Sequence, residues 1–459
     1  MSETKTKRAA TPAATESPAP VVHLTPDERL AIGRTARSEV PRASHATLDL
    51  VTGRDPIALL AADSEGRVPD LVPIRFGRML TSPFAFYRGS ATVMAHDLAP
   101  TPRTSLNVQL CGDAHCANFG GFASPERSFV FDLNDFDETH RGPFEWDVKR
   151  LAASFELAGR NRGLTVAQTK AAVLMSVRSY REAMAQFAAS TNLAVWYSRL
   201  DLGDVEARLR AAHSTKQARA ISKAAEKART KDSLKAFAKL TRIVDGVPRI
   251  ISDPPLLVPV SELSGDQPAV EVEGQIRELF RRYRHTLQGD RRHVLETYEY
   301  VDMARKVVGV GSVGTRCWVL LMLGRDQSDP LFLQIKEARG SVLEPILGAS
   351  PFATAGQRVV EGQRLMQSSS DIFLGWLHTE QGLDGRERDF YVRQLWDWKT
   401  SVDLDVIVPE GLVLYAQACG WTLARAHARS GDRIAISSYL GKKDEFDRAI
   451  ADFAAAYAD

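Results

Sequence analysis

Two kinds of hydrophobic pattern alternate along the chain. Segments with apolar residues at helical spacing predict helices, and short apolar runs rich in β-branched and aromatic residues predict strands. The helical pattern covers residues 27–37, 142–158, 165–190, 206–242, 270–289, 359–369, 411–429 and 446–457. The strand pattern covers residues 106–110, 119–122, 129–132, 317–323, 330–338, 373–377 and 389–395. This mixture predicts an α+β fold.

The distribution of these elements predicts four regions. Residues 1–25 contain much Ala, Thr, Pro, Ser and Glu and no apolar run, so they predict a disordered tail rather than a signal peptide. Residues 26–295 predict a helical large lobe, and residues 296–403 a small β-rich lobe. Residues 404–459 predict helices that return to the large lobe.

Composition narrows the class of protein and its partners. Of the 459 residues, 44% are hydrophobic and 25% are charged, as in ordinary soluble proteins, and the formal net charge is only +2. General nucleic-acid binders usually carry a marked basic excess, so we expect no nucleic-acid partner. The one basic run, 206–242, lacks interleaved aromatic residues and predicts a solvated helix face. No run is apolar enough to span a membrane.

The cysteines indicate the redox environment. They do not have zinc-site spacing, and scattered cysteines of this kind are typical of reduced thiols in a cytoplasmic protein. They are Cys111, Cys116, Cys317 and Cys419.

A glycine-rich turn lies in the β-rich region, as Gly309-x-Gly311-x-x-Gly314. A dinucleotide-binding fingerprint needs a helix after the turn, whereas here the strand 317–323 follows. A glycine hairpin between strands covers nucleotide phosphates with backbone N–H groups in kinases. We therefore predict that Gly309, Gly311, Ser312 and Gly314 contact a nucleotide.

Two charged residues after this turn extend the kinase pattern. Lys336 stands in the next predicted strand and suits the α- and β-phosphates of a nucleotide. Glu361, on the following helix, is predicted to pair with that lysine. Glu337 is a competing carboxylate, but strand alternation directs it away from the face of Lys336. A structural hairpin with a surface lysine is the open alternative.

A second cluster of polar residues lies much earlier, in Asp113-x-His115-x-x-Asn118. Phosphoryl transfer needs one carboxylate to orient the attacking hydroxyl, and an Asn with a second carboxylate to hold the metal. Asp113 is therefore the candidate base and Asn118 a candidate magnesium ligand. His115 could bind metal or transfer protons, although stabilisation of the loop is the simpler interpretation.

Three carboxylates after the strand 129–132 compete for the main metal position. The number of residues between Asn118 and Asp132 is closer to the separation of the two metal ligands that is usual in kinases. Asp135, in Asn-Asp-Phe-Asp, looks more like the D-F-G turn of kinases, and Asp137 is the third candidate. We favour Asp135 as the main metal ligand and retain Asp132 as the alternative. The predicted cofactors are ATP and Mg²⁺.

The segment 109–154 resembles the aminoglycoside phosphotransferase and choline kinase branch of the kinase-like superfamily. In that branch a Gly-Asp-x-His-x-x-Asn loop, an acid-ended strand and an Asp-containing helix recur, and residues 112–118 match the loop. The resemblance implies Asp113 as the base and Asn118, with Asp135 or Asp132, as the magnesium ligands. It also implies that Asp147 braces the loop from behind.

Nearly the whole chain is also similar to a bacterial family of unknown function, DUF2252. The motifs that carry this similarity include GDAHCANFG, NDFDE, GPFEWDVKRLAAS, VGVGSVGTRC, LQIKEA and LARAHARSGD. That family has no established reaction, so the chemistry depends on the residues.

The order of the two clusters departs from ordinary kinases, in which the glycine loop precedes the catalytic loop. Circular permutation accounts for this order most simply, and it costs little when the original termini lie close together. We therefore expect a bilobal protein-kinase-like fold that is circularly permuted, in which the helix 411–429 returns to the large lobe.

Four further polar residues allow two interpretations. Arg88 could contact an anionic ligand or form a salt bridge inside a helical layer. His427 and Asp432 could join the site, or His427 could interact with the dipole of its own helix. Arg393 stands on a predicted strand and could reach into the cleft.

These patterns favour an ATP- and magnesium-dependent phosphotransferase that acts on an unknown small-molecule or protein acceptor. The first alternative is a nucleotide-binding pseudokinase, or a nucleotidyltransferase. The second is a metal-dependent hydrolase, which would use Asp113, His115, Asp132, Asp135 and Asp137 and would not need Lys336. The sequence indicates neither the acceptor nor the oligomeric state.

Overall fold

The structure is a computed structural model that describes residues 22–211, 215–263, 269–382, 385–395 and 397–459. Helices form 50% of it and strands 17%, which confirms the predicted α+β class. Most of the predicted tail, residues 1–21, lies outside the described residues. No helix in the described ranges is long and apolar enough to cross a membrane.

Helices and strands alternate unevenly along the chain. The helices are α1 Pro26–Glu39, α2 Pro56–Ser64, α3 Val72–Met79, α4 Pro83–Gly89, α5 Ala91–Leu98, α6 Glu145–Asn161, α7 Val166–Ala188, α8 Asn192–Tyr197, α9 Leu202–Ala211, α10 Thr215–Arg229, α11 Ser233–Leu240, α12 Val260–Leu263, α13 Ala269–Arg284, α14 Gly289–Leu295, α15 Glu344–Leu347, α16 Ala355–Met366, α17 Pro409–Ser430, α18 Arg433–Leu440 and α19 Glu445–Ala458. The strands are β1 Asn107–Leu110, β2 Phe119–Ala123, β3 Phe129–Leu133, β4 His140–Pro143, β5 Leu200–Asp201, β6 Thr241–Val244, β7 Val247–Ile250, β8 Leu257–Pro259, β9 Glu299–Lys306, β10 Cys317–Leu323, β11 Pro330–Ala338, β12 Gly375–Thr379 and β13 Arg388–Gln394.

A helical body forms around α6, α7, α17 and α19. α7 begins with a capping box, in which Thr165 and Gln168 satisfy each other's backbone N–H groups. α17 packs along α7 so closely that a Cβ at Gly420 would overlap the carbonyl oxygen of Ser176. The body shares one apolar core, which includes Phe144, Phe155, Tyr180, Leu423 and Phe446.

A six-stranded antiparallel sheet forms the second part, in the order β12-β13-β11-β10-β9-β8. The glycine-rich turn joins β9 to β10, and β11 carries Lys336, which stands opposite Cys317 and Tyr391 on the neighbouring strands. α16 connects β11 to β12 and packs against the sheet. The chain therefore runs through glycine turn, lysine strand, helix and two further strands.

Residues that precede the predicted lobe boundary at residue 296 also pair with the sheet or pack against it. β8 pairs with β9, and Tyr283 and Leu287 pack in the apolar core of the sheet. On another part of the sheet, Ala236 and Ile250 share a core with strand residues. The boundary was misplaced because helices that pack on a sheet have the same periodicity as helices that pack on one another.

The basic run predicted as one helix over 206–242 is divided among α9, α10 and α11 and ends in β6. Asp232 starts α11, because its side chain accepts a hydrogen bond from the backbone N–H of Lys235. This N-cap interrupts a pattern whose Ala, Lys and Arg residues are all helix formers.

A linker from β13 to α17 runs beside the β2–β3 hairpin. Thr400 and Gly121 exchange backbone hydrogen bonds of 2.8 and 3.0 Å. The linker also reaches a cleft between the glycine-rich turn of the sheet and the helices α2 to α5, which the loops after β1 and β3 also line.

Candidate functional site

The loop after β1 turns sharply at Gly112, where φ is +83°. A Cβ at this position would overlap the carbonyl oxygen of Glu138, so a glycine is required. Asp147, in the first turn of α6, accepts hydrogen bonds from the backbone N–H groups of Cys111 at 2.6 Å and Gly112 at 3.0 Å. Asp147 therefore braces the loop from which Asp113 projects.

Two buried side chains support this brace. His427 Nε2 lies 3.2 Å from Asp147, and His427 Nδ1 lies 2.9 Å from the hydroxyl of Tyr180. His427 thus links α17 to the back of the loop, and it does not line the cleft. Asp432 lies outside the cleft as well and caps α18.

Asp113 faces the cleft and is held by an arginine. Arg150, one turn after Asp147 on α6, donates a hydrogen bond of 2.8 Å to Asp113 Oδ1. Asp113 Oδ2 lies 3.7 Å from His115 Nε2. Burial lowers the pKa of His115 to about 4, so its ring is neutral near pH 7. Asp113 is therefore an oriented carboxylate that keeps one oxygen towards the cleft.

Asn118 joins the two acidic loops. Its Nδ2 donates to the backbone carbonyl oxygens of Asp113 at 2.9 Å and Asp135 at 3.3 Å. Because Nδ2 is engaged with the backbone, Oδ1 is the atom of this amide that can bind a metal ion.

Lys336 reaches the acids that follow β3, although 201 residues separate it from Asp135 in the chain. Its Nζ lies 3.2 Å from Asp135 and 2.6 Å from Asp137. Asp137 also accepts a hydrogen bond of 2.6 Å from the hydroxyl of Tyr391. The two oxygens of Asp137 thus have different partners, whereas both oxygens of Asp135 accept from Lys336 alone among the described side chains, at 3.2 and 3.3 Å.

The buried charges stabilise one another in their ionised forms. Burial alone would raise the pKa of Asp135, but the charge of Lys336, with Arg393 and Lys399, outweighs this effect and lowers it. Burial alone would lower the pKa of Lys336, but Asp135 and Asp137 raise it well above its ordinary value. Asp135 and Lys336 therefore favour their charged forms at neutral pH.

The glycine turn covers one side of a cleft of about 320 Å³. Gly309, Gly311 and Ser312 line this cleft together with Asp113, Asn118, Asp135 and Asp137. Arg67 holds the turn by donating to the carbonyl oxygens of Gly311 and Val313, each at 2.8 Å. Gly314 does not line the cleft, and its carbonyl oxygen accepts from the N–H of Val68 at 2.7 Å.

The predicted pairing of Lys336 with Glu361 is wrong. Glu361 pairs with Arg364 on its own helix at 3.0 Å, and the two acids after β3 take its place beside the lysine. Glu337 points away from Lys336, as expected, and pairs with Arg316 and Arg388, but it also lines the cleft.

Asp132 is not available as a metal ligand. It is fully buried, pairs with Arg425 of α17, and accepts hydrogen bonds from the N–H and hydroxyl of Ser368 at 2.8 and 2.7 Å. Its carboxylate thus joins the hairpin to α17, away from the cleft.

Replacing Asp132 with Asn should therefore destabilise the fold. The charge of Arg425 would remain buried without its partner, and we expect the free energy of unfolding to fall by about 3–5 kcal/mol. Chemical denaturation measures this loss, and the double variant Asp132→Asn/Arg425→Met should recover part of it. An Asp132→Asn protein of unchanged stability would contradict the structural role.

Sequence reasoning missed two residues of the site. Arg150 could have been inferred, since its spacing from Asp147 puts both on one side of a helix. Lys399, in the linker, lines the cleft and has no hydrogen bond or ion pair with the described residues. Its position in the cleft, with Arg393 and Lys336 nearby, lowers its pKa although the side chain keeps contact with solvent. No local pattern distinguishes this lysine.

The other arginine candidates lie at the cleft or beside it. Arg88 lines the cleft. Arg393 donates to Gln334 at 3.1 Å and to the carbonyl oxygen of Asn134 at 2.8 Å, which ties the sheet to the β3 loop.

The donor set fits a magnesium ion shared with phosphates. Within the described residues, no three His, Cys, Asp or Glu side chains form a metal-binding group by themselves. Magnesium, however, prefers oxygen ligands and usually binds through one or two protein groups together with substrate phosphates and water. Asn118 Oδ1 and the carboxylate of Asp135 could hold such an ion.

Comparisons with known proteins give a family and no activity. No curated protein and no solved structure matches the chain. The model of one family, DUF2252, described as an uncharacterized protein conserved in bacteria, matches residues 67–459. The chain therefore belongs to the DUF2252 family.

Proposed function

We propose that this protein is an ATP- and magnesium-dependent phosphotransferase with a circularly permuted, kinase-like fold. The observation that carries the proposal is the contact of Lys336 with Asp135 and Asp137. Asp135 and Asp137 line the same cleft as Asp113 and the glycine turn. Residues from distant parts of the chain thus meet in the combination that phosphoryl transfer needs.

Each polar group has a role in the proposed reaction. Asp113, held by Arg150, orients the acceptor hydroxyl and takes its proton. The hydroxyl oxygen then bonds to the γ-phosphorus while the bond from that phosphorus to the ADP oxygen breaks. Lys336 and the N–H groups of the glycine turn bind the phosphates of the nucleotide.

A magnesium ion would offset the negative charge of the nucleotide phosphates, because the bound ion would supply positive charge to neutralise their oxygens. Asn118 and Asp135 would hold it, because Asp137 also accepts a hydrogen bond from Tyr391, whereas Asp135 has Lys336 as its one hydrogen-bonding side-chain partner among the described residues.

The connectivity supports a kinase-like small lobe. Glycine turn, lysine strand and helix follow one another as in kinases, and the helix is followed by two strands of the same sheet. The Asp113 loop precedes all of them, and α17 brings the end of the chain back onto α7. A permuted connection of the two lobes agrees with both observations.

The hydrolase alternative has weaker support. Asp132 is engaged with Arg425 rather than with the other acids, and the described acids and histidines do not form a three-ligand group. A pseudokinase and a nucleotidyltransferase would use the same cleft. The label that ATP transfers separates them, because a phosphotransferase moves the γ-phosphate and a nucleotidyltransferase moves the α-phosphate.

Binding of ATP with magnesium tests the proposal. A ligand that binds the folded state stabilises it by about 2.7 kcal/mol at one hundred times its dissociation constant, so the melting temperature should rise. Asp135→Ala should reduce the magnesium-dependent part of the rise, whereas Asp432→Asn, at a helix cap outside the cleft, should not. A wild-type protein that binds no nucleotide would refute the proposal.

A further inference from the structure

The cleft adjoins a second, larger cavity of about 1930 Å³. The two share Arg88, Ala117, Val310 and Ser401 among their lining residues. The larger cavity is lined mostly by apolar groups, including the aromatic side chains of Phe84 and Trp421. A molecule bound there could therefore present a group to Asp113 through this junction.

Arg88 is the cation at the junction. It stands near the end of α4, and its guanidinium makes no hydrogen bond or ion pair with the described part of the chain. Its Nε is buried and has no hydrogen-bond partner there. The Nε of Arg75 is also buried without a partner, but Arg67 and Arg75, which line the cleft as well, both pair with Asp63 through other guanidinium nitrogens. A buried donor without a partner is costly, so Arg88 is suited to a ligand.

The position of Arg88 favours the acceptor over the nucleotide as that ligand. Lys336 contacts the cleft acids Asp135 and Asp137 from the sheet, and Lys399 lines the cleft from the linker. Arg88 approaches from α4, which packs on α6, the helix of Arg150. Arg88 thus lies on the side of the candidate base, where the acceptor hydroxyl must bind.

We propose that the large cavity binds the acceptor and that Arg88 recognises an anionic oxygen group, a carboxylate or phosphate, on that molecule. The acceptor is then a small molecule that carries both a hydroxyl and an anionic group. This inference rests on the phosphotransferase function proposed above. A guanidinium is well suited to the role, because its planar donors match carboxylate and phosphate oxygens in pairs.

Inorganic phosphate serves as the probe for this site. The full-length protein is first saturated with magnesium and a non-hydrolysable ATP analogue, which fills the γ-phosphate position. Phosphate is then titrated by calorimetry at constant ionic strength. We expect the wild type to bind phosphate, Arg88→Met to bind it at least tenfold more weakly, and Arg88→Lys to lie between them.

Arg199→Met provides the matched control. Arg199 lines the same cavity but has a partner, Glu126, at 3.9 Å, so its removal should leave phosphate binding unchanged. Melting curves of each variant verify that it is folded.

Two results would overturn the inference. One is phosphate binding that is absent in the wild type or equal in Arg88→Met. The other is an Arg88→Met protein that loses affinity for the ATP analogue instead, which would assign Arg88 to the γ-phosphate. If the wild type binds phosphate through Arg88 but does not bind the analogue, the phosphotransferase proposal fails and the anion site stands.

Discussion

Asp113→Asn should abolish most turnover while leaving nucleotide binding intact. The amide keeps the size of the carboxylate but cannot accept the proton of the attacking hydroxyl, and removal of a general base typically costs 10²- to 10⁴-fold in rate. Asp113 is not among the side chains near Lys336, so the affinity for ATP with magnesium should stay within about twofold. ADP formation with water or a screened acceptor measures the rate, and calorimetry measures the binding.

The matched control for this prediction is His115→Gln. The ring of His115 is neutral near pH 7 and lies 3.7 Å from Asp113, so its loss should reduce the rate much less than Asp113→Asn does. Equal losses in both variants would instead indicate that the loop acts through its shape. An Asp113→Asn protein with wild-type turnover would contradict the role of Asp113 as the base.

Local patterns predicted the parts of the site that lie within one segment. The Asp113 loop and the glycine turn have short motifs whose spacing follows from the chemistry of phosphates and metals. The structure brings both to one cleft. Strand alternation also predicted correctly that Glu337 faces away from Lys336, since a strand reverses its side chains at every residue.

Pairings between distant segments could not be predicted in the same way. The sequence predicts Glu361 as the partner of Lys336, and it predicts Asp132, Asp135 and Asp137 only as candidate metal ligands. Nothing local indicates that Asp132 meets Arg425, because 293 residues separate them in the chain. Such contacts depend on how the hairpin, α17 and the sheet pack together, and no single segment contains that information.

The charged side chains that line the cleft differ in whether another residue pairs with them. Most buried ions of the cleft have protein partners, as the cost of burial requires. Arg88 and Lys399 are the two lining cations for which the described residues provide no hydrogen bond or ion pair. Lys399 is exposed, so water can satisfy its donors, whereas the buried Nε of Arg88 has no partner among the described residues. This is why we assign Arg88 to a ligand.

Lys336→Ala should change the binding of nucleotide and metal in opposite directions. The variant loses the ammonium that binds phosphates, so the affinity for ATP with magnesium should fall at least tenfold. It also frees Asp135 and Asp137 from the contacts of 3.2 and 2.6 Å that neutralise them. Asp135 then has no hydrogen-bonding side-chain partner among the described residues, while Asp137 keeps Tyr391. The two carboxylates should therefore bind magnesium alone more tightly than in the wild type, because the competing cation is gone. Calorimetry with magnesium, with and without nucleotide, measures both effects.

A matched control separates these effects from a general loss of charge. Lys306→Ala removes a lysine from β9, the strand next but one to β11, and Lys306 does not line the cleft. This variant should bind nucleotide and magnesium as the wild type does. If Lys336→Ala weakened both ligands equally, the simplest explanation would be a distorted cleft, and the lysine would have only a structural role. A variant that kept full nucleotide affinity would exclude Lys336 from the phosphate site.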